Sequence, residues 1–514
     1  MPEVIAGTRP KKQVLEMSVL ILLLAVNAAV LAAVMFRFFQ LLDFGAFLDA
    51  AWRIYRGQKP YVDFYFHTGP IHIEIMALFF RVFGVGKTAL LAEPLLISSA
   101  CMILLFLGTR GRLPLAFRAL AVLLTGAGLY WGYPHPWYDM TAHFWGLIGL
   151  MLLMNRLPFA EKKQAFMTGL ACGALAILAF LTKTNIGLAY GAAFGATLLC
   201  APHRWHGLAG CALGSAAAAV LGILLLVPNP SAYYENAFVL YGSGRSTQMI
   251  RLLFLRAWMK NLYWVPFVTL AFARLAFWKS RAPLYMLFVM TALLAIFDLN
   301  TGSLRDPDHL PVFGVYLTLG LLVLQGLKPA ADGALKKITL LAAQAVLVLT
   351  VLFQLNVTGR SAWLHYELTH PMLPHGNYPI KSGPLKGWLF YEPYGKAVDE
   401  IADYIRANVA PQDSLLIMSD LYLLNAMTGR DSYRGVSYMW PMFFQDAPIG
   451  ARPETVRQNI LEHPPDWILV KREEGKIGDV MAILQHFQFP EDYLKDYGLV
   501  QTWGPYGMLK RTRS

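Results

Sequence analysis

Between Gln40 and Gly84 the carboxylates Asp43, Asp49, Asp63 and Glu74 lie among the cations Arg53, Arg56 and Lys59, with aromatic residues and Gly or Pro stops between them. A carboxylate held near a cation can take the proton of a reacting hydroxyl, and cations can hold a departing anion. Three later clusters repeat the theme: Asp139 in WYDMTAHFWG, Lys183 in LTKTNIG, and Arg305, Asp306, Asp308 and His309 in SLRDPDHLP. His67, His72 and Glu74 follow an H-x4-H-x-E spacing that matches no common metal-ligand pattern, so no metal is assigned and no cofactor is called for.

Each position also has a plain structural reading. Asp43 follows the first apolar span closely, and a carboxylate at that height reaches water by snorkelling at little cost. Asp139 opens an apolar span, where the helix dipole favours an acidic residue in any case. Lys183 interrupts two apolar helices, where burial costs about 2.5–3.5 kcal/mol unless the ammonium snorkels or meets an anion.

The elements that position these residues are membrane spans. Of 514 residues, 56% are hydrophobic and 15% charged, and the mean hydropathy is +0.45. A soluble domain carries about 25% charged residues. Apolar runs near the length needed to cross about 30 Å of hydrocarbon indicate α-helices rather than the short alternating strands of a barrel. About eleven spans are expected, near 14–36, 87–107, 113–131, 138–154, 165–182, 185–200, 207–227, 258–277, 282–299, 309–327 and 337–355. A shorter apolar helix, interfacial or re-entrant, is expected over 71–84.

Charge sets the expected orientation. With the N-terminus cytoplasmic, every inside segment holds at least one basic residue, among them Lys11, Lys12, Arg110, Arg112, Arg156, Lys162, Arg204 and Lys279. The net charge of +12 follows from these loops rather than from a nucleic-acid surface, so nucleic acid is excluded as a partner. All four cysteines fall in or beside apolar spans, which argues against a disulfide framework, and the apolar start does not read as a cleavable signal. The chain therefore reads as a multi-pass protein of the inner or plasma membrane, with an extracytoplasmic (periplasmic) C-terminal part. The sequence divides at about 360. Residues 1–360 form a transmembrane domain with a large first outer loop (37–86), and 361–514 form a small extracytoplasmic α/β domain. In the latter, GKAVDEIADYIRANV and KIGDVMAILQHF have helical periodicity, and SLLIMSD and DWILVKR read as buried strands.

In this order the motifs resemble the GT-C superfamily of integral-membrane glycosyltransferases, which includes protein O-mannosyltransferases and lipid A aminoarabinose transferases. DFGAFLDAAWRIYRGQKPYVDFYFHTGP matches the family's first outer loop, WYDMTAHFWG its second acidic position and LTKTNIG its lysine motif. SLRDPDHLPVFGVYL matches the polar segment before a leucine-proline helix start. The resemblance covers roughly residues 14–330. It implies transfer of a sugar from a polyprenyl-phosphate donor to a hydroxyl of a glycan, lipid or protein on the outer face, beside membrane lipid. Asp43 and Asp139 are the implied catalytic residues, and Lys183 and Arg305 the implied phosphate contacts. Many relatives carry a second acidic residue where this chain has Phe44, which makes Asp49 or Asp63 possible helpers; Asp49, Asp63, His67 and His309 are the candidate acceptor or donor contacts. The rival readings are a transporter or flippase, for which internal symmetry is missing, and a polysaccharide ligase or polymerase, kept open by Arg245, Arg251 and Arg256.

Overall fold

The computed structural model describes residues 10–37, 43–240, 282–301, 311–326, 376–436, 453–473 and 479–512, with Phe39, Leu41 and isolated positions between 341 and 359. Nine of the expected spans fall within these residues and are helices: α1 (Pro10–Met35), α4 (Lys87–Gly108), α5 (Leu115–Gly126), α6 (Tyr138–Arg156), α7 (Lys162–Phe180), α8 (Thr184–Leu199), α9 (Arg204–Leu226), α10 (Ala282–Thr301) and α11 (Phe313–Gly326). The span expected at 258–277 lies outside the described residues, and that at 337–355 is described only at isolated helical positions. Four of these helices are long and apolar enough by themselves to cross a membrane. Leu22, Leu104, Leu221, Leu224 and Leu225 stand exposed on them, as lipid-facing side chains do.

Apolar side chains drive no association between helices inside lipid, so close backbone approach must do so. Helices α7 and α9 supply it with glycines. A Cβ on Gly173 would stand 2.0 Å from the Cys211 carbonyl oxygen, and one on Gly210 2.1 Å from that of Phe166.

At one end of the bundle a second apolar cluster joins the first loop, the helix ends at Tyr138, Leu181 and Val227, and the C-terminal segment. Two short helices of the loop enter it, α2 (Asp43–Tyr55) and α3 (Ile71–Phe83). Helix α3 is one-sided as expected: His72, Ile73, Met76, Ala77 and Phe80 are buried, while Leu78, Val82 and Phe83 are exposed. The stretch DFGAFLDAAWRIYRG reads from its sequence as an interfacial helix ending at Gly57, but in α2 every residue from Phe44 to Ile54 is buried. Protein covers its outer side. Gly57, with φ at +86°, turns the chain back at its end.

The covering layer is C-terminal. Strands β1 (Gly376–Pro379) and β2 (Leu389–Tyr391) form an antiparallel pair, and a four-stranded sheet runs in the order β3-β4-β6-β5. Its strands are β3 (Leu415–Met418), β4 (Trp467–Lys471), β5 (Tyr497–Trp503) and β6 (Tyr506–Arg511), with β3 and β4 parallel and the other pairs antiparallel. Strands β3 and β4 are buried at every position, which explains the apolar runs Leu415–Met418 and Trp467–Val470; Lys471, which ends β4, is buried against Asp420 at 2.8 Å. The expected strands and helices appear where the periodicity put them, at Leu415–Met418, Trp467–Lys471, Glu392–Asn408 (α12) and Val480–His486. The β5–β6 hairpin was not read from the sequence.

The segment 425–435 locks this layer onto the first loop. Asp49 accepts from Arg53 Nε at 2.7 Å, from Asn425 Nδ2 at 2.9 Å and from Ser432 Oγ at 2.5 Å. Arg53 also donates to the Tyr433 carbonyl at 2.7 Å, and Trp52 to that of Arg430 at 2.8 Å. Asp63 pairs with Arg434 at 3.3 Å and accepts from its own loop at Lys59 N, 2.8 Å away. Asp49 and Asp63 therefore serve the seam between first loop and C-terminal layer. Arg53→Met leaves the buried Asp49 charge without its cation, a change worth about 3–5 kcal/mol. The expected outcome is a lower melting temperature and faster limited proteolysis within 376–436, read by mass spectrometry of the fragments.

Candidate functional site

The site forms where two long helices begin. Helix α5 ends in a π-helical turn at Ala127–Trp131, the proline-bearing YPHPW stretch is non-helical and ends in an extended Trp137, and α6 starts at Tyr138. Asp139 thus falls in its first turn. Helix α7 closes at Phe180, Lys183 N donates to the Ala179 carbonyl at 2.8 Å, and Lys183 itself is extended as the residue before α8.

These two termini put Lys183 Nζ 2.5 Å from Asp139 Oδ1. The carboxylate is 3% exposed and the lysine side chain 12%. The ammonium also lies 4.6 Å from the centre of the Tyr138 ring. Both α6 and α8 direct their positive dipole ends here. One carboxylate faces two helix N-termini and a lysine, so the site has positive charge to spare for an anion.

Aromatic rings wall the ion pair. Phe47 of α2 stacks on Tyr138 at 4.8 Å and meets Trp137, Phe66 and His72 edge-on at 5.0, 5.3 and 5.2 Å. His67, half-buried, stands 6.4 Å from both Phe47 and Tyr138. The TGP turn docks on the α7–α8 connection. Ile71 N donates to the Leu181 carbonyl at 3.3 Å, and a Cβ on Gly69 would lie 1.8 Å from that oxygen. Only glycine fits there.

The structure therefore gathers three of the sequence-predicted motifs, DFGAF, WYD and LTK, at one place. Asp43 opens α2 one turn before Phe47, so the two positions share a face of the helix. Its side chain lies outside the described residues, and Arg305 and His309 lie outside them altogether. Phe44, the residue that departs from the family pattern, stacks on His135 at 5.0 Å and meets Trp388 at 6.0 Å. Burial raises the Glu74 carboxyl above the usual range, with Arg81 opposing.

Sequence reasoning missed Glu93 and set His72 aside. Both are fully buried, with Glu93 Oε1 3.3 Å from His72 Nδ1. A carboxylate inside the apolar run 87–107, directly before Pro94, was the available signal. His143 was likewise missed; it is buried in α6 with Nδ1 2.9 Å from the Tyr190 hydroxyl.

No family model and no curated protein sequence matches the chain. Among solved structures it is similar to ArnT from Cupriavidus metallidurans bound to undecaprenyl phosphate. Sequence identity is 15%, 95% of this chain and 97% of that chain are covered, and the TM-score is 0.56. The apo state of that protein gives 0.54 at the same identity and coverage. A fainter likeness, with TM-score 0.47 at 13% identity, links 90% of this chain to 72% of the Archaeoglobus fulgidus oligosaccharyltransferase. The chain has the GT-C fold.

The resemblance read from the ordered motifs thus holds at the level of architecture, over nearly the whole chain. Within this GT-C fold the Asp139–Lys183 pair is a charged feature whose removal can be measured. Asp139→Asn leaves a buried ammonium with an aromatic ring and no carboxylate, and is expected to lower the melting temperature of the purified protein. In the double variant with Lys183→Met most of that loss should return, a coupling of about 0.5–3 kcal/mol in a thermal-unfolding cycle.

Proposed function

We propose that the protein is a polyprenyl-phosphate-dependent glycosyltransferase that works at the extracytoplasmic surface of the cell membrane. The observation that supports this most strongly is the buried Asp139–Lys183 pair at the meeting of two helix N-termini, walled by the first loop's aromatic residues. A phosphate fits such a place because backbone N–H groups, dipoles and an ammonium converge on it. The solved relative of the same fold was crystallised with undecaprenyl phosphate, the leaving group this reading requires.

In the proposed reaction the acceptor oxygen forms a bond to the anomeric carbon while the bond from that carbon to the phosphate oxygen breaks. The electron pair leaves with polyprenyl phosphate, and the acceptor proton passes to the Asp43 carboxylate. Lys183 stabilises the charge gathering on the phosphate, an effect enlarged where water is scarce. Asp139 holds the Lys183 ammonium in place, a positioning role rather than that of a second base. Tyr138 and Phe47 offer faces on which a sugar ring can lie. Arg305 is assigned to the phosphate as a second cation, and His67 and His309 to sugar or acceptor hydroxyls. No cofactor is assigned to the step.

The test compares cell-envelope glycolipids and glycans by mass spectrometry in cells carrying the wild type, Asp43→Asn or Lys183→Ala. Loss of the base should slow transfer by about 10²–10⁴. Asp43→Asn should let a polyprenyl-phosphate sugar accumulate, with one sugar missing from the acceptor, while the purified variant still binds undecaprenyl phosphate. Lys183→Ala should lose both binding and transfer. Normal transfer by Asp43→Asn would overturn the mechanism.

A further inference from the structure

A polar cluster lies fully buried beside the ion pair, drawn from the three helices α3, α4 and α6. His72 Nδ1 sits 3.0 Å from Thr141 Oγ1 and 3.3 Å from Glu93 Oε1, and the Thr141 hydroxyl donates to Glu93 Oε1 at 3.2 Å. Ionisable groups at this depth are expensive and persist where they do something that an apolar residue could not.

The position of His72 in the chain shows what that is. It belongs to the first turn of α3, directly after the Gly69–Ile71 segment that docks on Leu181. Leu181 is two residues before Lys183, and Thr141 is two residues after Asp139. The first turn of α3 therefore touches the support of each member of the ion pair: the α7–α8 connection through backbone and Gly69, and the start of α6 through the imidazole.

We propose that His72 is a positioning residue for the Asp139–Lys183 pair. Its Nδ1 contact with Thr141, with the ring oriented by Glu93, fixes the start of α6 against the Leu181–Lys183 turn, so that carboxylate and ammonium meet. This deepens the donor-phosphate reading, and only the lipid-binding measurement below rests on that reading.

The experiment uses the full chain in detergent with His72→Leu, which removes the contact, and His72→Asn, whose amide nitrogen can occupy the place of Nδ1. Lys183 acylation by an N-hydroxysuccinimide acetate is followed residue by residue by mass spectrometry, beside binding of undecaprenyl phosphate and thermal melting. An amine released from its carboxylate is acylated faster. His72→Leu should raise the Lys183 rate and weaken lipid binding by about tenfold each, the effect of one lost buried hydrogen bond. His72→Asn should restore both. Should His72→Leu not fold, His72→Gln, which cannot place a nitrogen at the Nδ1 position, takes its role. Wild-type acylation in the folded His72→Leu or His72→Gln protein, or no rescue by His72→Asn, overturns the proposal. A wild type that binds no undecaprenyl phosphate overturns the donor reading alone, and Lys183 acylation still decides the role of His72.

Discussion

A carboxylate and an ammonium 2.5 Å apart, both nearly dry, are the constraint that the surrounding structure answers to. Taking two charges out of water costs several kcal/mol per ion, and their attraction repays it only where geometry is held. Neither Asp139 nor Lys183 can hold it alone. Each sits at a helix end, where the chain would otherwise have freedom to shift. The non-helical YPHPW stretch fixes where α6 begins, the Gly69 contact with Leu181 fixes the turn before α8, and Phe47 closes over Tyr138. The electrostatics of the site follow from steric choices made at glycine and proline.

That dependence explains what could be read from the sequence. Spans are local: an apolar run of sufficient length is a helix whatever its neighbours do, so the ends of α4 at Lys87 and of α8 at Leu199 fell within a residue of expectation. The sheet strands β3 and β4 were legible for the same reason, since burial on both faces leaves the apolar strings Leu415–Met418 and Trp467–Val470. Asp139 and Lys183 were recognisable one by one, because a charge in an apolar setting is conspicuous. Their direct bond was not, since it joins residues 44 positions apart (183 − 139) through tertiary packing.

What could not be read has the same origin. Asp49 and Asp63 share a loop with Asp43, and the partners the structure gives them, Asn425, Ser432 and Arg434, lie far along the chain. Helix α2 looked interfacial because its sequence mixes aromatic, acidic and basic residues. In fact each polar side chain on its buried stretch has a counterpart in the C-terminal layer: Asp49 meets Asn425, and Arg53 meets the Tyr433 carbonyl. His72 was weighed as a metal ligand on spacing within its own segment, while its true neighbour, Glu93, lies on the next helix.

If Asp43 is the base of the proposed reaction, the seam also gives the C-terminal layer a part in that chemistry. Asp43 stands at the first residue of α2, a helix that has protein on every side of Phe44–Ile54. Bundle rings hold one side through Phe47, Tyr138 and Trp137, and Trp388 with the 425–435 segment holds the other. A general base must be fixed within hydrogen-bond reach of the proton it takes, and a helix lying free at a lipid–water boundary would let that distance drift. Clamped between two layers, α2 has no such freedom. The C-terminal α/β layer thus packs directly on the first loop and restrains α2 from the side opposite the bundle.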